Sequence, residues 1–257
     1  MGNTDEGLEG LRVLVTGGSR GLGEATVRRF LAATAVVLTA SRSRPAQGSA
    51  ATFIAADLST LDGAAELGRC VIDEVGGVDV VVNNAASANA PTPTLTRSGA
   101  SWLADLKMNL LSAVRLDRAL VPGMVERGSG VVVHVSSIAR WLPQRADSSY
   151  AAAKAALNAY SRELATEVGP RGVRVVCVLP GFILTEGAAT HLQRMAGQQG
   201  VTTEEATQQL VDHLNLPMGR PGMPEDVAEM ITFLASGHAK WITGAQFRVD
   251  GGIIPTV

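Results

Sequence analysis

Short, unbroken apolar runs alternate along this chain with longer stretches in which apolar residues recur every three or four positions. The runs at 11–16, 35–39, 52–56, 78–82, 131–135 and 173–179 are rich in Val, Leu and Ile and too short for helices, so they predict buried strands. Helical periodicity separates them. It covers 24–31, about 61–75 with Leu67, Val71 and Val75 at fours, and about 99–120 with Trp102, Leu106, Leu110 and Leu111 as its apolar side. It returns over about 150–168 and 224–235, and a last strand and turn are predicted at 241–244 and 246–252. Pro122 with Gly123, and Gly128 with Gly130, are expected to break the chain before the strand at 131. Strands alternating with helices predict an α/β fold, a parallel sheet covered on both faces with right-handed crossovers.

The 257 residues suit one such domain at 11–257, preceded by a polar, acidic stretch at 1–10 that predicts a flexible leader. A formal net charge of -2 with scattered Lys and Arg offers no basic stripe, so neither nucleic acid nor a membrane surface is an expected partner. No run approaches about 18 apolar residues and the start lacks the basic-then-apolar pattern of a signal peptide, which predicts a cytoplasmic protein. Cys70 and Cys177 lack redox or ligand spacing and are expected to be buried, reduced thiols. His191 and His213 have no partners at ligand spacing, so no metal site is expected.

Candidate chemistry begins at Tyr150, Ala151, Ala152, Ala153 and Lys154. Alanine favours helix, and residues four apart on a helix are neighbours. An ammonium about 4 Å from a phenol is worth roughly 4 kcal/mol at an effective dielectric near 20, enough to bring a tyrosine pKa from about 10 towards about 7 before desolvation opposes it. Tyr150 then trades protons near neutral pH, with Ser137, at the end of the 131–135 strand, holding a substrate oxygen. Against this stands an exposed amphipathic helix with an incidental Tyr/Lys pair. A second cluster, Gly17, Gly18, Ser19, Arg20, Gly21, Leu22 and Gly23, joins the first strand to the first helix, the context in which backbone amides receive a phosphate.

With Thr16 in front, this loop resembles the Thr-Gly-x-x-x-Gly-x-Gly signature of the short-chain dehydrogenase/reductase family, and Ser137, Tyr150 and Lys154 match that family's motif in order and spacing. The resemblance runs from about 11 to 252. It implies a Rossmann-type, doubly wound parallel sheet of about seven strands, a homotetramer, and hydride transfer between a nicotinamide cofactor and a small-molecule ketone or alcohol, as in 3-oxoacyl-carrier-protein reductases and related ketoreductases. It further implies that Asp57 and Leu58 flank the adenine, that Asn84 lines the cofactor while Asn83 bonds neighbouring strands, and that Asn109 loosens its helix and holds a water reaching Lys154. Gly17, Ser19, Gly21, Leu22 and Gly23 would bind the pyrophosphate. Pro180, Gly181 and the Ile183 backbone would meet the nicotinamide, the Thr185 hydroxyl its amide or the phosphates, and Lys154 with Tyr150 the ribose. Ala86 stands where the family has glycine.

The second strand leads into Ala40, Ser41 and Arg42 with no carboxylate to bond a ribose 2′-hydroxyl, so NADP(H) is the expected cofactor, its 2′-phosphate met by Arg42, Ser41 and Arg20. Two amphipathic helical patterns at 186–216, carrying Leu192, Met195, Ala206, Leu210 and Leu214, are expected to form a mobile lid. The loops at 87–98 and 138–149 would shape the pocket. Arg140 or Arg145 would receive an acidic or carrier-bound substrate, or else be solvated; Trp141 would wall the pocket or pack at a subunit contact. Two alternatives stay open: NAD-dependent alcohol oxidation on the same site, and a non-catalytic NADP-binding sensor.

Overall fold

The computed structural model describes residues 6–45, 48–87, 92–142 and 148–255. Its seven strands are β1 (Arg12–Thr16), β2 (Val36–Ser41), β3 (Thr52–Ala55), β4 (Val80–Asn83), β5 (Gly130–Val135), β6 (Val173–Pro180) and β7 (Gln246–Val249). They form one sheet in the order β3-β2-β1-β4-β5-β6-β7, every pairing parallel. The chain steps outward from β1 to β3, then returns to place β4 on the other side of β1. That reversal opens a crevice at the carboxyl ends of β1 and β4, where ligands of such sheets bind.

The described residues form eight α-helices: α1 (Gly21–Ala32), α2 (Leu61–Val75), α3 (Gly99–Leu106), α4 (Ser112–Arg127), α5 (Ser148–Val168), α6 (Glu186–Gln199), α7 (Thr203–His213) and α8 (Pro224–Ala235). Alternation along β1 divides the core. Val13 and Val15 pack with Val27 and Phe30 of α1 and Val227 and Ile231 of α8. Leu14, pointing the other way, packs with Leu67 and Val71 of α2 and Leu116 and Met124 of α4. Buried on both faces, the strands have no use for polar alternation, which is why they read as plain apolar runs.

Several expectations are corrected. The leader is docked where it is described: Leu8 is buried in the core, and Glu6 pairs with Arg29 at 2.6 Å. Its residues 1–5 lie outside the described residues. Pro122 and Gly123 do not break the helix, which runs on to Arg127 and stops at Gly128 in the left-handed conformation. Pro122 lies on the exposed side, where its missing N–H is not withdrawn from the core. Cys70 is exposed, since it falls beside the buried Leu67/Val71 stripe of α2. The predicted strand at 241–244 is loop, with Trp241 fully exposed.

The segment 99–120 is not one helix. A π turn, Lys107–Leu111, interrupts it: the Ser112 N–H bonds the Lys107 carbonyl five residues back, and the Ser112 hydroxyl takes the Met108 carbonyl at 2.5 Å instead. Its buried side runs through Asp105, Asn109, Ser112, Ala113 and Leu116, while Trp102, Leu106, Leu110 and Leu111 are only half-buried. Polar side chains on this side, and not the predicted apolar stripe, are thus the ones buried around the π turn. Asn83 pairs with the neighbouring strand as expected, opposite His134 of β5, and its side-chain amide in addition donates to Asp117 of α4 at 2.8 Å.

Candidate active site

After Thr16 the chain turns into α1 through the glycine loop. The Thr16 hydroxyl accepts the backbone N–H groups of Asn84 and Ala85, each at 3.0 Å, and the Asn84 side-chain amide donates to the Thr16 carbonyl at 2.9 Å. The ends of β1 and β4 are thus laced together beneath the crevice. Gly17 at φ 71° and Gly21 at φ 55° occupy backbone conformations that side chains resist. A Cβ on Gly23 would press to 2.6 Å from the Asn84 amide, so the loop lies flush against β4's end. A Cβ on Gly21 would come within 3.3 Å of the Thr185 side chain, which places Thr185 beside the same loop.

Thr60, Ser98, Thr185 and Thr202 cap α2, α3, α6 and α7 with their hydroxyls, but Arg20, at the start of α1, supplies no side-chain cap. The first-turn amides of α1, with Ser19 and Leu22 around them, are left for an anion that the helix dipole favours. These residues fit a dinucleotide pyrophosphate.

At the end of β2 the Ser41 hydroxyl donates to the Ser43 carbonyl at 2.6 Å, and Arg42 and Arg20 are exposed. Arg44 instead stacks over Phe53 at 5.0 Å. The Asp57 carboxylate accepts the Ser59 hydroxyl and amide at 2.7 and 3.0 Å; these bonds, aided by the charge of Arg42, hold it below the usual carboxylate range. Its neighbour Leu58 is buried in the core. On the far side of the crevice Gly181 packs against Asp250, and Ile183 bridges Gly222, so the segment after Pro180 is pinned by backbone bonds.

Ser137 follows β5 and Tyr150 lies in the first turn of α5; both line one cavity of about 170 Å³. The Ser137 oxygen accepts the Ala139 N–H at 3.1 Å, which leaves its proton available to a substrate. Lys154 is fully buried one turn below Tyr150, its Nζ 5.8 Å from the centre of that ring and donating to the Val135 carbonyl at 2.8 Å. Burial lowers its pKa to about 8, opposed by the nearby Cys177 thiol. Asn109 sits in the π turn, where its amide donates to the carbonyls of Ser87 and Asp105 at 2.8 and 3.1 Å and its oxygen accepts the Ser87 N–H.

The remaining cavity walls are apolar: Ile138, Leu142, Phe182, Leu214 and Ile253. Sequence reading missed Phe182 and Ile253 as wall residues. Phe182 follows the Pro180/Gly181 pair, a signal that was available; Ile253 lies beyond the last strand with no pattern to mark it. Leu214, at the end of α7, brings the 186–216 insert to the cavity. Trp141 is not among these walls and stacks with Arg248 at 5.9 Å. Arg145 lies outside the described residues, as does the side chain of Arg140.

Among the described residues no His/Cys/Asp/Glu group could hold a metal, and no helix is long and apolar enough to cross a membrane.

The profile of the enoyl-(acyl carrier protein) reductase family matches residues 17–254. The 3-oxoacyl-[acyl-carrier-protein] reductase FabG of Vibrio cholerae is 32% identical, the match covering 96% of this chain and 98% of that protein. L-sorbose reductase from Gluconobacter frateurii, solved with NADPH and L-sorbose, superposes with a TM-score of 0.93 at 30% identity over 99% of this chain and 100% of its own. Aldohexose dehydrogenase from Thermoplasma acidophilum gives 0.90 at 26% identity, over 98% and 97%.

Proposed function

The chain belongs to the short-chain dehydrogenase/reductase family, oxidoreductases that act on CH-OH and keto groups, and from this premise we propose that it is an NADPH-dependent reductase of small, apolar ketones. The observation that carries the proposal is the shared cavity of Ser137 and Tyr150 with the buried Lys154 behind it. A bound reduced nicotinamide supplies the hydride. The chain's own residues manage the oxygen: Ser137 donates a hydrogen bond to it, and Tyr150 holds the proton it must receive. Lys154, cationic below about pH 8, favours the phenolate that this transfer leaves. Asn109 would connect the pair to solvent through a water, and α6 with α7 would close over the cavity.

The preference for NADPH rests on the absence of a carboxylate after β2 and on the exposed Arg42 and Arg20. The preference for an apolar ketone rests on the cavity walls, since about 150 Å³ lined by Leu, Ile and Phe is enough to hold a benzene ring. NADPH oxidation over a panel of aryl ketones, ketoses and 3-oxoacyl thioesters tests the reading, with Tyr150→Phe as its control. The variant should lose turnover by at least about a hundredfold and keep NADPH binding; one that keeps most of its kcat would refute the role. Arg42→Ala should weaken NADPH about tenfold, some 1.4 kcal/mol, and leave NADH nearly unchanged. Equal losses for both cofactors would remove the 2′-phosphate assignment.

A further inference from the structure

Beneath the site lies a fully buried carboxylate that the reaction does not use. Asp105, near the end of α3, accepts the Ser149 hydroxyl in a short hydrogen bond and lies 3.4 Å from the Arg97 guanidinium. The side chains of Arg97 and Asp105 are each 1% exposed, and Ser149 is fully buried. Ser149 immediately precedes Tyr150 in the first turn of α5. The backbone carbonyl of the same Asp105 accepts the Asn109 amide at 3.1 Å. One residue therefore bonds both the neighbour of Tyr150 and the side chain of Asn109.

We propose that Asp105, anchored by Arg97, is a positioning residue that fixes the rotation of α5 through Ser149 and so aims the Tyr150 hydroxyl at the substrate oxygen. This rests on the reading of Tyr150 as the proton donor.

The physical argument concerns what a buried ion pair is good for. Desolvation offsets most of its attraction, and apolar residues of the same volume often stabilise a core as well. What the apolar alternative lacks is direction. A hydrogen bond to a buried carboxylate is strong and angularly strict, so it holds one orientation of α5 against α3. The leverage is large: a tyrosine hydroxyl lies about 9 Å from its helix axis, so a rotation of about 6° moves it by about 1 Å. Misplacement on that scale costs about a hundredfold where reacting groups must align. The π turn adds a second reason for the contact. Asn109, within that turn, donates its side-chain amide to the Asp105 carbonyl, so the acid, the π turn and the start of α5 share one bonded junction.

The test measures Ser149→Ala and Asp105→Asn beside the wild type, with acetophenone and NADPH as substrates. Ser149→Ala removes one hydroxyl; Asp105→Asn keeps an acceptor for Ser149 but removes the charge. Expected for Ser149→Ala are a fall in kcat of about tenfold or more and KM values for ketone and NADPH within about twofold of wild type. Spectrophotometric ionisation of Tyr150 should shift to higher pH as the ring leaves Lys154. Asp105→Asn should retain a larger share of kcat than Ser149→Ala.

An unchanged kcat and an unchanged Tyr150 midpoint in Ser149→Ala would overturn the proposal, as would a loss of kcat that disappears once corrected for the folded fraction in a thermal melt. If Ser149→Ala does not fold, Asp105→Asn decides by the same two readouts. Tyr150→Phe separates the levels. Turnover surviving in it overturns the proton-donor reading and this inference together, whereas a dead Tyr150→Phe beside a fully active Ser149→Ala overturns the inference alone.

Discussion

In the proposed reaction Lys154 governs how Tyr150 behaves. Its ordinary pKa of 10.5 falls to about 8 because the ammonium is wholly buried. Between those values the unfolded chain holds a proton that the folded one has shed, so stability rises with pH across that window and is lowest where Lys154 is charged. The charged form thus costs on the order of 3 kcal/mol at neutral pH, a destabilisation kept for the sake of the site. Lys154→Met should accordingly unfold at the same or a higher urea concentration at pH 7 while losing turnover, and clear destabilisation there would contradict the assignment. The proposed carbonyl reduction, which would need the lysine charged and the phenol protonated, should also decline as pH rises through about 8. A rate flat to pH 10 would count against it.

At the scale of elements, the crevice depends on how β1 and β4 are joined. The buried Thr16 hydroxyl accepts two backbone N–H groups and donates to the Val82 carbonyl at 3.3 Å. Thr16→Val preserves shape but takes the hydroxyl acceptor from the Ala85 N–H, at about 1–3 kcal/mol, and one of two acceptors from the Asn84 N–H, which keeps the Val82 carbonyl at 3.0 Å. Equilibrium urea unfolding should show a loss of that order together with weaker NADPH binding; a variant as stable as wild type would show that the lacing is dispensable. The strands and helices around this junction were legible because each is a plain apolar run or a plain stripe, and α2 and α8 begin and end where the pattern does. The π turn was not, since it is a one-residue shift in hydrogen bonding and Asn109 signalled only that the helix was poor there. Leu8 was hidden by its acidic neighbours, and Pro122 misled because propensity cannot say which side of a helix faces water.

On the scale of the whole molecule, local motifs foretold that Ser137, Tyr150 and Lys154 would come together, whereas the contacts between distant segments did not show. Ser137, Tyr150 and Lys154 could be read because helix spacing and strand ends determine their neighbours. The cavity walls Phe182, Leu214 and Ile253 come from three separate segments, and Ser149 comes from a different stretch than Arg97 and Asp105, so no single stretch announces either group. The chain has two tyrosines. Burial, followed by the charge and hydrogen bond of Asp117, pushes Tyr160 far above the ordinary range. Ultraviolet titration of the folded protein therefore reports Tyr150 alone. With Lys154 at 5.8 Å from the ring, the ammonium favours the phenolate, which works towards a midpoint below that of a free tyrosine, about 10. The wild-type phenol should ionise below that value, and Lys154→Met should raise its midpoint to about 10 or above. A wild-type phenol ionising near 10, unmoved by the substitution, would contradict it.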